Sequence, residues 1–302
     1  MADRPAPDWD ELGRLLANGY VDSGFAAEQG GGGVTRLPAR QVARDMLSEA
    51  RADEQVAELR RVGDLAGKRI LEVGSGCGML VVRARTAHGL DVHGIEPSSG
   101  EYSATLAVAR RLIDHHGLAQ DVIREAPGEA IPHPDASFDI VYSSNVLEHV
   151  GDPQAVLDEA LRVLKPDGHL LFVVPNYGSW WEGHYGVLWL PKLTARAAKI
   201  YVRLLGRDPA YIDTLNLIDH RHLKAWLARH AGEVEALDWG WDMFERRLRT
   251  LAFSEWAALA TVKRLAGLVH RLRLIEPVLW LGRRLHWETP IILHARKLPP
   301  SP

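Results

Sequence analysis

Residues 69–78 read RILEVGSGCG, so a short apolar run leads directly into a glycine-rich turn. The run lacks proline and predicts a buried β-strand over 69–73, and the residues from Met79 onward predict a helix. Glycines in the turn carry no Cβ atom, so a ligand can approach the backbone closely. The segment therefore predicts a strand, a ligand-binding turn and a helix.

The spacing of these glycines excludes two common phosphate-binding loops. A dinucleotide loop of pattern GxGxxG would need a glycine at position 79, which is methionine, and no Lys-Ser/Thr pair follows Gly78 as in nucleoside triphosphate loops. Instead, Glu72 lies within the strand, two residues before Gly74. A carboxylate there would repel a diphosphate but attract the ammonium group of an amino-acid cofactor.

A second acidic residue completes this pattern. Glu96 ends the next predicted strand, 22 residues after Gly74, where a carboxylate can accept hydrogen bonds from both ribose hydroxyls of an adenosine. Taken alone, Glu72 could be a solvated strand-end acid and Glu96 an acid at a helix N-terminus. Their joint spacing favours an adenosine site.

Strands and helices alternate on either side of the turn. Predicted strands are 69–73, 91–96, 121–126, 138–143, 169–175, 234–241 and 290–297, and predicted helices are 9–16, 39–62, 79–88, 100–116, 153–164 and 219–230. This alternation predicts an α/β fold, a Rossmann-like seven-stranded and mostly parallel sheet with helices on both faces.

We divide the chain into six segments. They are an N-terminal helical lid or cap (1–66) with the glycine run 30–33 as a mobile hinge or lid loop, the ligand-binding core (67–176), an aromatic and helical substrate insert (177–218), a continuation of the core (219–242), a basic helical insert interrupted at Pro277 (243–288), and a closing strand with tail (289–302).

The order of motifs resembles one family closely. EVGSGCG (72–78), GIEPS (94–98), GEAIPHPDASFD (128–139), SNVLEHV (144–150) and LRVLKPDGHLLF (161–172) follow one another. In this succession the chain resembles class I S-adenosylmethionine-dependent methyltransferases over about residues 60–175 and again at the closing strand. One departure is Asp167, where relatives usually carry a second glycine, and a turn tolerates Asp-Gly. The resemblance implies methyl transfer from S-adenosylmethionine, with S-adenosylhomocysteine as product.

The resemblance also assigns the cofactor site. It implies that Gly74, Gly76 and Gly78 approach the methionine part, that Glu96 holds the ribose, and that Asn145 lines the methionine side. Glu129 and Ala130 are expected near the adenine. The full predicted set is Glu72, Gly74, Ser75, Gly76, Gly78, Glu96, Pro97, Ser98, Glu129, Ala130 and Asn145.

His149 is the candidate catalytic residue. It follows the fourth predicted core strand at the carboxyl edge of the sheet, and a free imidazole is largely neutral at pH 7, so it could accept a proton from a hydroxyl acceptor. A structural or cofactor-contacting role is the alternative. Glu148 and His149 alone make a weak metal site, and Asp219 to His222 is better explained as a helix N-terminus, so no metal is predicted.

An aromatic insert follows the fifth core strand and begins at the same edge. From it we predict four substrate contacts, Tyr177, Trp181, His184 and Tyr185. Aromatic faces can stack on a sugar, a ring or an isoprenoid. The same residues could equally form the small core of an added subdomain.

Composition limits the partners. The net charge of −3 over 302 residues argues against nucleic acid, and a single cysteine, Cys77, fits a reducing compartment. We expect a cytoplasmic protein without a secretory signal or membrane span. Residues 246–284 carry nine basic side chains against two acidic ones, so contact with the inner face of a membrane is a further expectation.

These observations predict methyl transfer to a small-molecule or glycan-like acceptor, most simply at oxygen. Two alternatives stay open. One is methylation of a lipid-linked or quinone-like acceptor at a membrane surface, and the other is a regulatory protein that binds the cofactor without turnover. The sequence carries no signal for the oligomeric state.

Overall fold

The computed structural model of the protein describes residues 6–31, 33–98, 103–251 and 260–300. The strands are β1 Arg69–Val73, β2 Asp91–Glu96, β3 Ile123–Glu125, β4 Phe138–Ser144, β5 Leu164–Val174, β6 Trp181–Glu182, β7 Val187–Leu188, β8 Val234–Asp238 and β9 Ile291–Lys297. The helices are α1 Trp9–Asp22, α2 Ala39–Met46, α3 Glu49–Leu59, α4 Met79–Ala87, α5 Ser103–His116, α6 Pro153–Val163, α7 Ala195–Leu204, α8 His220–Arg229, α9 Trp241–Thr250, α10 Ala260–Arg271 and α11 Ile275–Leu285.

The main sheet confirms the predicted architecture. Its seven strands lie in the order β3-β2-β1-β4-β5-β9-β8, and only β9 runs antiparallel to its neighbours. The strand order reverses between β1 and β4, where Val73 pairs with Ser143. Loops that leave β1 and β4 therefore open side by side at the carboxyl edge, the place where such sheets bind ligands.

Helices cover both faces of the sheet because its central strands are apolar on both sides. Ile70 and Leu71 are neighbours in β1 and both are fully buried, yet they belong to two different core clusters. The cluster around Ile70 is completed by α1, α3, α4 and α5, and the cluster around Leu71 by α6 and α8. Continuous burial of this kind is typical of parallel sheets.

The N-terminal segment differs from the prediction in two respects. The first helix, predicted over 9–16, continues to Asp22. The single helix expected over 39–62 is divided into α2 and α3, because Ser48 caps a new helix by accepting a hydrogen bond from the Arg51 N–H at 3.3 Å. In the glycine run, the N–H groups of Gly30 and Gly31 donate to Ala27 O and Arg36 O. The structure thus shows a hydrogen-bonded turn here; the predicted hinge motion stays a prediction.

Other boundaries also differ from the prediction. β5 starts at Leu164, earlier than expected, and β3 is shortened to three residues because a 3-10 turn takes up Gln120–Val122. The predicted interruption at Pro277 is wrong, since this proline lies in the first turn of α11, where a missing N–H costs nothing. The break falls instead at Arg273, which has a φ of 56°. The start of the helix predicted over 100–116 lies partly outside the described residues.

The insert after β5 has a core of its own. The strands β6 and β7 form a two-stranded antiparallel sheet, and α7 packs beside it. Trp189 is fully buried at the centre of this cluster. Among the helices of the described residues, none combines the length and apolar character needed to cross a bilayer.

Candidate active site

Two glycines of the turn after β1 have different roles. The N–H groups of Gly74 and Ser75 both donate to Ile95 O, at 3.0 and 2.9 Å, so the turn is fixed to β2. A Cβ atom on Gly74 would lie 2.3 Å from Val146 Cγ2, whereas one on Gly76 would meet no atom within 4 Å. Gly74 is therefore required for packing, and Gly76 faces open space that a ligand can occupy.

Glu96 lies at the end of β2, directly beside this turn. Its Oε2 accepts a hydrogen bond from the Gly76 N–H at 2.8 Å, and its Oε1 accepts one from Thr105 Oγ1 at 2.8 Å. Burial raises the pKa of Glu96 to about 7, although these two hydrogen bonds act against the rise. A carboxylate has about four acceptor positions, so two ribose hydroxyls can still be accommodated.

The side chain of Glu72 shows whether the site suits the amino-acid end of the expected cofactor. The side chain is 4% exposed, and its Oε2 has no hydrogen-bond partner. Burial, together with the charge of Glu96, raises the pKa of Glu72 to about 8. An unsatisfied buried carboxylate oxygen is costly, and a cationic ammonium group would satisfy it. The buried carboxylates beside the turn thus fit the ammonium group and the ribose of S-adenosylmethionine.

Other predicted cofactor residues lie around the same turn with their side chains already engaged. A Cβ on Gly78 would meet Ile123 Cδ1 at 2.7 Å, so this glycine serves packing. Ser75 Oγ donates to Ile95 O at 3.3 Å. Ser98 Oγ donates to Glu125 at the exposed end of β2, next to Pro97, and the following residues 99–102 are outside the described set.

The loops after β3 and β4 lie at the same carboxyl edge of the sheet as the glycine turn. Glu129 Oε1 accepts hydrogen bonds from the N–H groups of Gly151 and Asp152, at 2.8 and 3.2 Å, so this carboxylate holds one loop against the other. Ala130 beside it is exposed. Asn145 adopts a positive φ of 56°, and its N–H donates to Val173 O. Its position directly after β4 places it next to the glycine turn.

His149 belongs to a chain of three polar side chains. His149 Nε2 lies 3.1 Å from His184 Nε2, and His184 Nδ1 lies 2.5 Å from Glu182 Oε1. Burial and the neighbouring His184 lower the pKa of His149 to about 3. Burial alone would raise the pKa of Glu182, but His184 and two backbone N–H groups outweigh it and lower the pKa. We call these three residues the Glu182–His184–His149 chain.

The turn that carries His149 is held from the insert. Asn216 Nδ2 donates to Leu147 O and Val150 O, at 3.2 and 2.7 Å, and its own N–H donates to Glu148 O. Glu148 is fully buried, with neither carboxylate oxygen hydrogen-bonded, and burial raises its pKa to about 7. Its Oε1 lies 3.8 Å from His149 Nε2.

Two aromatic residues of the site were missed by the sequence analysis. Phe25, from the N-terminal segment, stands edge-on to His184 at 6.5 Å and lies 5.7 Å from Tyr211. Tyr211 lies 5.6 Å from His184 and 6.4 Å from His149. Neither residue belongs to a motif, and they are far apart in sequence, so only the fold reveals their proximity.

The aromatic residues predicted from the insert have a different placement. Tyr177 and Tyr185 are 2% and 1% exposed and belong to the core of the insert. Tyr177 Oη donates to Glu182 Oε1 at 3.4 Å, and the ring of Tyr185 stands edge-on to Tyr211. We expect these two tyrosines to hold Glu182 and Tyr211 in place from the core of the insert. Trp181 lies in β6, and of the predicted four only His184 is itself a member of the Glu182–His184–His149 chain.

The helix N-terminus expected near Asp219 is also present. Asp219 is the N-cap of α8 and forms a capping box with His222. Its Oδ1 accepts from the Arg221 N–H at 2.9 Å. The side chain of Asp219 thus serves the helix rather than a metal.

Sequence comparisons match this chain to methyltransferases. A profile of the methyltransferase domain family matches residues 71–172. A protein of Mycolicibacterium vanbaalenii described as an uncharacterized methyltransferase is 36% identical over 188 residues, which cover 58% of this chain and 68% of that one. A ubiquinone biosynthesis O-methyltransferase of Acinetobacter baumannii is 34% identical over 139 residues, 44% of this chain and 56% of its own.

Among solved structures, the [4+2]-cyclase SpnF is 22% identical, with a TM-score of 0.47, and the match covers 97% of this chain and 98% of that one. The chain thus spans about two thirds of the Mycolicibacterium relative and a little more than half of the Acinetobacter relative.

Proposed function

Because the chain belongs to the class I S-adenosylmethionine-dependent methyltransferase family, we propose that it methylates a hydroxyl oxygen of a small acceptor bound between the glycine turn and His149. The enzyme uses S-adenosylmethionine, which supplies the methyl group as a sulfonium. The observation that carries the proposal is the Glu182–His184–His149 chain, since a hydroxyl becomes a good nucleophile when a base takes its proton.

One proton arrangement makes this chain a base. In this arrangement His184 Nδ1–H donates to Glu182 Oε1 and His149 Nε2–H donates to His184 Nε2, so the lone pair of His149 lies on Nδ1. S-adenosylmethionine, when bound, would supply the methyl group, and His149 would take the proton of the acceptor hydroxyl. Burial and His184 disfavour a positive charge on His149. The Glu182 carboxylate, which His184 joins to His149, would offset part of that cost.

The surroundings of His149 suit a ring-containing acceptor. Phe25 and Tyr211 place aromatic surface beside the two imidazoles, and aromatic faces stack well on flat rings. The side chain of His149 is only 16% exposed, so little water reaches the imidazole. A phenol, a catechol or a quinol therefore fits better than an open-chain alcohol. The named activity of the Acinetobacter relative is in keeping with this choice.

A second candidate places the acceptor in a membrane. On α10, α11 and the turn between them, seven large apolar side chains are 38–59% exposed: Leu265, Leu268, Leu272, Leu274, Trp280, Leu281 and Leu285. Arginines lie among them, and Arg284 stacks on Trp280 at 4.3 Å. Helices that mix cationic and apolar side chains bind anionic lipid surfaces. This surface would bring the enzyme to a lipid-linked or quinone-like acceptor.

The proposed activity is tested with purified full-length protein and S-adenosylmethionine. Acceptors are screened in three classes, namely catechols and quinols, sugars, and amines, with S-adenosylhomocysteine release as the readout. Turnover with a hydroxylated ring, and a methyl ether in the product, would support the proposal. Turnover confined to amines would refute oxygen methylation, and cofactor binding without turnover on any class would favour the regulatory alternative.

A further inference from the structure

Three metal-type ligands from distant parts of the chain meet next to β9. His220 is the first residue of α8, His286 directly follows α11, and Glu288 precedes β9. His220 and Glu288 are 4% and 3% exposed. One ligand atom from each of the three lies within 4.8 Å of the other two. None of them belongs to the Glu182–His184–His149 chain.

The contact between His220 and Glu288 lacks hydrogen-bond geometry. His220 Nε2 lies 3.0 Å from Glu288 Oε1, yet neither ring nitrogen of His220 has a hydrogen-bond partner, and Glu288 Oε2 has none either. Buried polar atoms are normally satisfied, so this arrangement requires an explanation. Two ligand atoms on one tetrahedral zinc ion lie about 3.3 Å apart, given bonds of about 2.0–2.1 Å. The observed separation is close to that value.

The cluster borders a small cleft that has room for an ion and its water. The cleft has about 40 Å³ of free volume. Two of the three ligands, His220 and His286, line it, whereas Glu288 does not, and the charged residues Lys192, Asp219 and Arg221 also line it. A single water molecule needs about 10–15 Å³ of such free volume. An ion held by three protein ligands could therefore keep a water as its fourth ligand and enter from the surface.

We propose that His220, His286 and Glu288 bind one Zn²⁺ ion. Two imidazoles and a carboxylate form a donor set that zinc favours. The ion would neutralise a carboxylate that is otherwise buried with one oxygen unsatisfied. It would also join three elements, because its ligands come from α8, from the end of the basic insert and from the start of the closing strand. The site has a structural role and does not depend on the proposed methyl transfer.

Lys224 competes with the ion for His286. Lys224 Nζ lies 3.0 Å from His286 Nε2, and His286 Nδ1 lies 3.8 Å from Glu288 Oε1. Coordination through Nδ1 requires a proton on Nε2, so the ammonium group must turn away. Lys224 is exposed and flexible enough to do so. Replacing it with methionine should therefore strengthen zinc binding, an effect that a purely structural hydrogen-bond network would not produce.

The test measures zinc binding by the full-length chain, expressed without a histidine tag and stripped with a chelator. Competition with a chromophoric chelator should show one equivalent of zinc. His286→Ala is the main variant, since this side chain is 45% exposed and its loss should leave the fold intact. Binding should weaken at least 10-fold in His286→Ala and in Glu288→Gln, and it should tighten in Lys224→Met.

Two matched controls make the assignment specific. His222→Ala removes a 52% exposed histidine from the same helix, and His149→Ala removes a histidine from the other group of metal-type ligands. Both should keep one equivalent. Any of three results would overturn the proposal. They are no stoichiometric zinc binding by the unsubstituted chain, unchanged zinc binding in His286→Ala and Glu288→Gln, and loss of zinc binding in His149→Ala.

Discussion

His184 lies between His149 and Glu182 and contacts each of them through a different ring nitrogen, Nε2 at 3.1 Å and Nδ1 at 2.5 Å. This arrangement joins a turn of the core to the aromatic insert. A change of protonation on His149 is therefore coupled to a carboxylate that it does not touch.

We expect His149→Ala to lower kcat by about 10²–10⁴-fold, the range typical for loss of a general base. Glu182→Gln should lower kcat less, because it removes only the carboxylate charge that acts on protonated His149 through His184. Both variants should bind S-adenosylmethionine with nearly unchanged affinity in calorimetry. A His149→Ala enzyme with full kcat would show that the residue has a structural role.

Glu96→Ala should weaken S-adenosylmethionine binding by about 1–3 kcal/mol, through loss of the ribose hydrogen bonds. The Gly76 N–H, which donates to Glu96, also loses its partner. Glu235→Ala is the matched control, because Glu235 lies in β8 at the far edge of the sheet. Unchanged affinity in Glu96→Ala would remove Glu96 from the cofactor site.

Cofactor binding should strengthen as the pH rises from about 6 to 7, a range in which the α-amino group of the cofactor stays largely protonated. In the ligand-free protein the pKa values are raised to about 7 for Glu96 and about 8 for Glu72, so both carboxyls are largely protonated at pH 6. Ribose hydroxyls and an ammonium group favour the ionised forms, so binding releases protons. The affinity should change by up to about 10-fold per pH unit for each group below its pKa. Calorimetry in buffers of different ionisation enthalpy measures the released protons, and binding that weakens with pH would contradict the assignment.

Two glycine substitutions should separate packing from ligand binding. Gly74→Ala places a Cβ 2.3 Å from Val146 Cγ2, so it should lower the free energy of unfolding by about 1–3 kcal/mol through overpacking. Gly76→Ala meets no protein atom; apart from about 1 kcal/mol for its positive φ, its effect should fall on cofactor affinity. Thermal melting and calorimetry on both variants distinguish these outcomes, and full cofactor affinity in Gly76→Ala would show that the open space is not the binding site.

If the membrane candidate is correct, the protein should sediment with vesicles that contain anionic phospholipid and remain in solution with purely zwitterionic vesicles. Trp280→Ser and Leu272→Ser should reduce this binding, since these side chains are 59% and 57% exposed. Leu204→Ser is a suitable control, because Leu204 is 80% exposed but lies on α7. Equal sedimentation with both vesicle types, or with none, would exclude an anionic lipid surface as the partner.

Much of the core could be derived from the sequence because its signals are local. The strands Arg69–Val73 and Asp91–Glu96 were predicted to the residue, since an apolar run bounded by turn residues has few other solutions in a parallel sheet. Glu72, Gly74 and Glu96 were placed by their spacing along two adjacent strands. Their function depends on distances that the strand geometry itself sets.

The residues proposed to surround the acceptor, and those proposed to bind zinc, could be identified only from the tertiary structure. Phe25, His184 and Tyr211 come from different segments, and their aromatic patterns do not distinguish a core residue such as Tyr185 from a site residue. The same holds for His220, His286 and Glu288, which share no sequence motif. Side chains from distant segments meet only when apolar burial brings their elements together, because the energy of that burial is summed over the whole fold and is not encoded in any local pattern.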